Sequence, residues 1–114
     1  MRKLEILVFG KHQDILKTVM RLINNRPGWR AEGTMESEDV IEKCSLKTYD
    51  LLLLGGGISK KEEQRVRAEL NKIRPEMKII QHFGGGSGLL YNEIDASLLS
   101  YQNLNFNIQD NSQE

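Results

Sequence analysis

Short apolar runs that end in glycine recur along the chain and predict buried strands. The most marked is the run of four leucines at 51–54, which ends at Gly55, Gly56 and Gly57. Similar runs at 4–9 and 77–83 also lead into glycine-containing turns. A short continuous apolar run bounded by turn residues is typical of a strand buried on both faces. The more polar segment 29–35 suits a strand at a sheet edge.

Between these runs, apolar positions at helical spacing predict helices. The first helix covers 13–25, with one broad apolar stripe on its inner face. Ser37 is predicted to cap a second helix, and Ser59 with Glu62 has the spacing of a capping box at the start of a third. Leucines and an isoleucine from position 89 onward mark a fourth helix.

The tail carries a different pattern. Apolar residues at 104, 106 and 108 alternate with asparagines, which predicts a short fifth strand with one face in water. Strands that alternate with helices at this spacing imply right-handed crossovers, and so an α/β fold with a mainly parallel sheet between two helix layers. We expect a single domain over 1–109 and a polar tail at 110–114.

Composition excludes several classes of function. The chain has 114 residues with 16 basic and 16 acidic side chains, so no general attraction to nucleic acid or to an anionic membrane is expected. No apolar run approaches the roughly 20 residues that a membrane span needs. The single cysteine, Cys44, fits a small core residue in a reducing compartment. The start of the chain reads as a strand and not as a signal peptide, so we expect a cytoplasmic protein.

The segment from Ser37 to Leu54 resembles the receiver domains of bacterial response regulators. It contains a second helix, then Tyr49-Asp50, then a hydrophobic third strand, as that family does. The resemblance covers roughly 3–99 and implies a flavodoxin-like sheet of order 2-1-3-4, with the tail as a short fifth strand. The final helix of a receiver is missing from this pattern.

The residues that would carry out the receiver reaction do not match the family. The phosphorylated aspartate would stand at Gly55, and the acidic pair that binds magnesium would fall near Gly10-Lys11. The receiver's Ser/Thr would lie near His82 or Phe83, and its lysine in strand five has no clear counterpart. Phosphoryl transfer to aspartate needs a carboxylate nucleophile and a cation held by carboxylates, and glycine supplies neither.

The resemblance therefore implies a receiver-like regulatory module that binds a protein, without a catalytic activity or cofactor. Without a final helix, the fifth strand would be covered on one face only. Such an edge favours pairing with a second copy, so we expect a homodimer through 101–109.

Glycine-rich turns supply an alternative function. The turns after the first, third and fourth strands would meet at the topological switch point, where α/β sheets bind ligands. Glycine lets backbone N–H groups approach a ligand closely, and a helix N-terminus attracts anions. These turns therefore predict a protein or enzyme that binds a small molecule with a phosphate or carboxylate group. The candidate residues are Gly10, Lys11, His12, Gly55, Gly56, Gly57, His82, Gly84, Gly85, Gly86 and Ser87.

Other interpretations of these turns are open. The glycines could serve only tight turns, and the sequence has neither a P-loop nor a dinucleotide-binding motif. The two histidines could act as acid–base groups or metal ligands, but no Cys, Asp or Glu stands in these turns to complete a metal site. A cobalamin-binding domain would require D-x-H-x-x-G after the first strand, and only the histidine is present.

Overall fold

A computed structural model describes residues 3–82 and 88–98. The chain divides into two compact units, Met1–Gly84 and Gly85–Glu114. Along the first unit the elements are β1 (Leu4–Phe9), α1 (Gln13–Asn24), β2 (Trp29–Thr34), α2 (Ser37–Leu46), β3 (Leu51–Leu54), α3 (Lys60–Ile73) and β4 (Lys78–Gln81). In the second unit, residues 88–98 form the predicted fourth helix. The predicted fifth strand and the polar tail lie outside the described residues, and the single domain over 1–109 stays a prediction.

The four strands form one parallel sheet of order β2-β1-β3-β4, which confirms the predicted order. Helix α1 packs on one face, and α2 and α3 pack together on the other. These elements make a three-layer α/β fold.

Successive side chains of the central strands point to opposite faces of the sheet, so each strand contributes to the packing on both faces. Phe9 and Leu54 belong to the core beneath α2 and α3, whereas Val8 and Leu53 border α1. All four leucines of β3 are at most 1% exposed, as predicted for a strand covered on both sides. Cys44 is also fully buried, and burial raises the pKa of its thiol to about 11. The thiol is therefore a protonated core group at neutral pH.

Strand β2 is an edge strand, as predicted, and its outer side is partly closed by the chain that precedes it. The Trp29 N–H donates to the Arg26 carbonyl at 3.1 Å. The Ala31 N–H donates to Asn24 Oδ1 at 2.8 Å, so the end of α1 occupies a position that another strand would need. The Arg26 guanidinium lies 4.3 Å from the ring centroid of Trp29, which adds a cation–π contact to this closure.

A cluster of charged side chains ties β2 to the neighbouring elements. Lys47 Nζ lies 2.7 Å from Glu32 Oε2 and 3.1 Å from Glu5 Oε1. The Tyr49 hydroxyl donates to Glu32 Oε1 at 2.7 Å. The hydrogen bond from Lys47, followed by that from Tyr49, lowers the pKa of the Glu32 carboxyl. Burial, followed by the hydrogen bond to Glu32, raises the pKa of Tyr49.

Of the two N-cap residues predicted from the sequence, one is confirmed. Ser59 Oγ accepts the Glu62 N–H at 3.1 Å, as a cap of α3 should. The predicted cap of α2 is wrong, because the N-cap residue is Glu36 and its side chain makes no capping hydrogen bond. Ser37 is instead the first helical residue and is buried. Within the described part of the chain, the helices lack the length and apolar character of a membrane span.

Candidate functional site

The carboxyl ends of β1, β3 and β4 lie side by side, which places the described first residues of the predicted turns together. The Gly55 N–H donates to the Phe9 carbonyl at 2.7 Å, and the His82 N–H donates to the Leu54 carbonyl at 2.9 Å. Beyond the strands, the Lys11 N–H donates to the Gly56 carbonyl at 3.0 Å. The sheet therefore continues as backbone hydrogen bonds between the first residues of the turns.

A small cavity opens between this edge of the sheet and α1. Its volume is about 110 Å³, below the roughly 300–1,000 Å³ of most small-molecule sites. Aliphatic residues from β1, β3 and α1 make up half of its lining residues, and two histidines and three glycines make up the other half. The lining residues are Val8, Gly10, His12, Ile15, Leu16, Val19, Leu53, Gly55, Gly56 and His82.

Lys11 lies beside this cavity but does not line it. Its ammonium group lies 2.9 Å from Glu62 Oε2 and donates to the Met35 carbonyl at 2.8 Å. The hydrogen bond from Lys11, together with one from Ser37, lowers the pKa of Glu62. The positive charge that was expected to attract an anion is therefore compensated by a carboxylate.

At Gly57, the third residue of the glycine triplet, the backbone conformation and the close neighbours require glycine without any ligand. Its φ is +83°, a conformation that side chains other than glycine rarely adopt. A Cβ at this position would lie 2.9 Å from Lys11 Cβ and 3.1 Å from His12 Nε2. The residue thus allows the β1–α1 turn to pack closely against the β3–α3 turn.

Gly55 has a different environment. A Cβ there would lie 3.5 Å from the Phe9 oxygen and 3.6 Å from Gly10 Cα, which are ordinary contacts. The fold has room for the start of a side chain at the position where a receiver has its aspartate. Crowding at the Cβ therefore does not account for the glycine.

The structure brings together Gly10, His12, Gly55, Gly56 and His82 from the predicted set. Lys11 and Gly57 flank them. Four further candidates, Gly84, Gly85, Gly86 and Ser87, lie outside the described residues, and the anion site stays a prediction. Over 3–82 and 88–98, no group of three or more His, Cys, Asp or Glu is placed to hold a metal ion.

Sequence reasoning missed the role of Glu62 at this edge. The capping-box spacing predicts that its carboxylate returns to the start of α3, whereas the structure pairs it with Lys11. A topological signal was available, because a helix that follows a parallel strand begins at the same edge where the other strands end. An acidic first turn of α3 should therefore lie near a lysine that follows β1.

Comparison with solved structures gives the fold a name. A protein assigned to pilus assembly (CpaE) from Burkholderia thailandensis matches with a TM-score of 0.57 at 18% identity, over 82% of this chain and 80% of its own. A pilus assembly-related protein from Burkholderia pseudomallei matches with a TM-score of 0.58 at 20% identity, over 82% of this chain and 72% of its own. The fold is flavodoxin-like. No protein-family model and no curated protein sequence matches the chain.

Proposed function

We propose that this chain is a receiver-like regulatory module that acts by binding a protein and is not phosphorylated on aspartate. The observation that carries the proposal is Gly55 at the carboxyl end of the central strand, beside Gly10 and Lys11 at the end of β1. In a flavodoxin-like sheet of this order, a receiver holds its nucleophile and its magnesium ligands at these two turns. Here the two turns supply no carboxylate.

The ion pair of Lys11 supports the same conclusion. Its ammonium group is paired with Glu62. At this edge of the sheet a receiver needs unpaired carboxylates that can bind a cation. Because Lys11 already neutralises the Glu62 carboxylate, this group is not free to bind a divalent cation. The loss of the reaction therefore involves both the nucleophile and the electrostatics around it.

The structural neighbours support a role related to pilus assembly. The names of both assign them to that process, and each matches over 82% of this chain. We accordingly propose a regulatory domain of a pilus assembly system as the biological setting, with another protein as the partner and the cytoplasm as the location.

The central claim is tested with acetyl phosphate and magnesium. We expect the intact mass of the protein to remain unchanged after incubation, while an active receiver treated in parallel gains a phosphoryl group. The variant Gly55→Asp should also remain unmodified, because it restores the nucleophile without the acidic pair that binds magnesium. An aspartyl phosphate on the wild-type chain would refute the proposal.

A further inference from the structure

A second concave site lies at the opposite end of the sheet from the glycine turns. It is a groove of about 370 Å³ between the C-terminal half of α3 and the start of β4. Two arginines, an asparagine and four apolar or small residues form it: Arg67, Ala68, Asn71, Arg74, Pro75, Met77 and Ile79. We call this the α3–β4 groove.

Arg74 is the unusual member of the groove. Its Nη1 donates to the Ile73 carbonyl at 3.3 Å, and its backbone N–H donates to the Leu70 carbonyl at 2.7 Å. Its Nε is buried and has no hydrogen-bond partner. Within the described residues, no carboxylate forms an ion pair with this guanidinium. A buried donor without an acceptor is costly, so such groups call for an explanation in the structure.

Arg67 is held differently. Its Nε lies 2.8 Å from Glu63 Oε2 one helical turn earlier, so this carboxylate compensates its charge and fixes its direction. The positive charge that lacks a partner in the groove therefore comes from Arg74. Asn71, between the two arginines in sequence, adds an amide that can donate or accept.

The other wall of the groove is apolar. Met77 and Ile79 are partly buried and pack against the core beneath α2 and α3, so their positions are fixed by the fold. The volume falls within the range of small-molecule sites, and a single water accounts for only about 30 Å³ of liquid. An inorganic ion would fill a small part of this groove, whereas an organic acid would also cover the apolar wall.

We propose that the α3–β4 groove binds a small organic carboxylate. Because Nε itself is shielded from the groove, the carboxylate would meet the terminal edge of the Arg74 guanidinium, formed by Nη2 and the second N–H of Nη1. Guanidinium donors on one edge match the two oxygens of a carboxylate, and this geometry favours an oxyanion over a neutral ligand. Met77 and Ile79 would contact the hydrocarbon part.

The test uses the full chain with hexanoate as the probe and hexanamide as its uncharged counterpart. Nuclear magnetic resonance follows the backbone amides of 67–79 and the Nε–H signal of Arg74 during each titration. We expect saturable shifts with hexanoate, including a shift of the Arg74 Nε–H signal, and at least a tenfold weaker response to hexanamide. Equal responses to the two probes would overturn the proposal, as would a response to inorganic phosphate as strong as that to hexanoate.

Two variants remove one positive charge each from α3 or its end. Arg74→Gln should weaken hexanoate binding at least tenfold. Lys72→Gln, at a residue that is 72% exposed on its side chain and does not line the groove, should change it less than twofold. Equal weakening by both variants would indicate general electrostatic attraction and refute the site. If Arg74→Gln does not fold, the two titrations of the wild-type chain still decide the question.

Discussion

At the scale of single residues, the glycines that follow the strands have distinct roles. Gly57 combines a positive φ with close neighbours, whereas Gly28 has the same φ of +83° and nothing within 4 Å of a built Cβ. Gly57→Ala should therefore cost more than the roughly 1–2 kcal/mol of a left-handed residue, because Lys11 and His12 must also move. Unfolding in urea measures the difference.

Gly28→Ala is the matched control for this prediction. It carries the conformational cost alone and should lower the free energy of unfolding by about 1 kcal/mol. If the two variants lost the same stability, the packing of the β1–α1 turn against Gly57 would contribute nothing.

Ser59 makes a second prediction at the residue scale. Its hydroxyl accepts the Glu62 N–H, so Ser59→Ala should destabilise the protein by about 1 kcal/mol. Ser45 is a suitable control, because its hydroxyl only donates to the Glu42 carbonyl within α2. Ser45→Ala should change the unfolding midpoint little, and an equal loss in both variants would exclude capping as the cause.

At the scale of elements, the Glu32 cluster joins β1, β2 and the end of α2 through charge. The depressed pKa of Glu32 means that the folded state favours its ionised form. This stability is present above the pKa of an unfolded glutamate, about 4.3, and is lost as pH falls through the lower folded value. Glu32→Gln should thus cost about 0.5–1 kcal/mol at pH 7, after allowance for solvent screening.

Urea unfolding across the acidic range measures this effect. The stability gap between wild type and Glu32→Gln should shrink as pH falls below about 4. Glu42→Gln, at an exposed residue of α2, should show no such convergence. A gap for Glu32→Gln that stays constant with pH would mean that its ionised form contributes no stability.

The elements could be predicted from sequence because their patterns are strong and local. The leucine run, the stripe of α1 and the Ser59 cap each correspond to an observed element. The pairing of Lys11 with Glu62 could not be predicted from spacing, because it joins two turns that only the sheet brings together. Likewise, the α3–β4 groove depends on how Arg74 leaves the end of its helix, which no periodicity encodes.

The candidate site was predictable in position and less so in chemistry. Parallel topology requires the carboxyl ends of β1, β3 and β4 to lie at one edge of the sheet, and these strand ends do. Whether glycine serves a ligand or the packing of neighbouring turns depends on distances such as those around Gly57. Sequence composition does not contain that information.

At the scale of the whole molecule, the alternating tail suggests self-association. We propose that 101–109, which lies outside the described residues, mediates a homodimer. Light scattering at micromolar concentration should give the mass of two chains for the wild type and of one chain for Phe106→Asp. Asn105→Asp adds the same charge at a polar position of the alternation and should remain dimeric. A monomeric wild type would contradict the proposal.

The partly closed outer side of β2 has a further consequence for such an assembly. Because the chain itself bonds the N–H groups of Trp29 and Ala31, a strand from another molecule has few donors to meet there. Among the described strands, β4 is the other edge of the sheet, and the proposed dimer would have to pair there. In a dimer joined through that side, both outer edges of the combined sheet would be β2 strands whose N–H groups are already largely hydrogen-bonded. The same feature that completes one subunit would therefore stop the assembly at two and prevent a fibre.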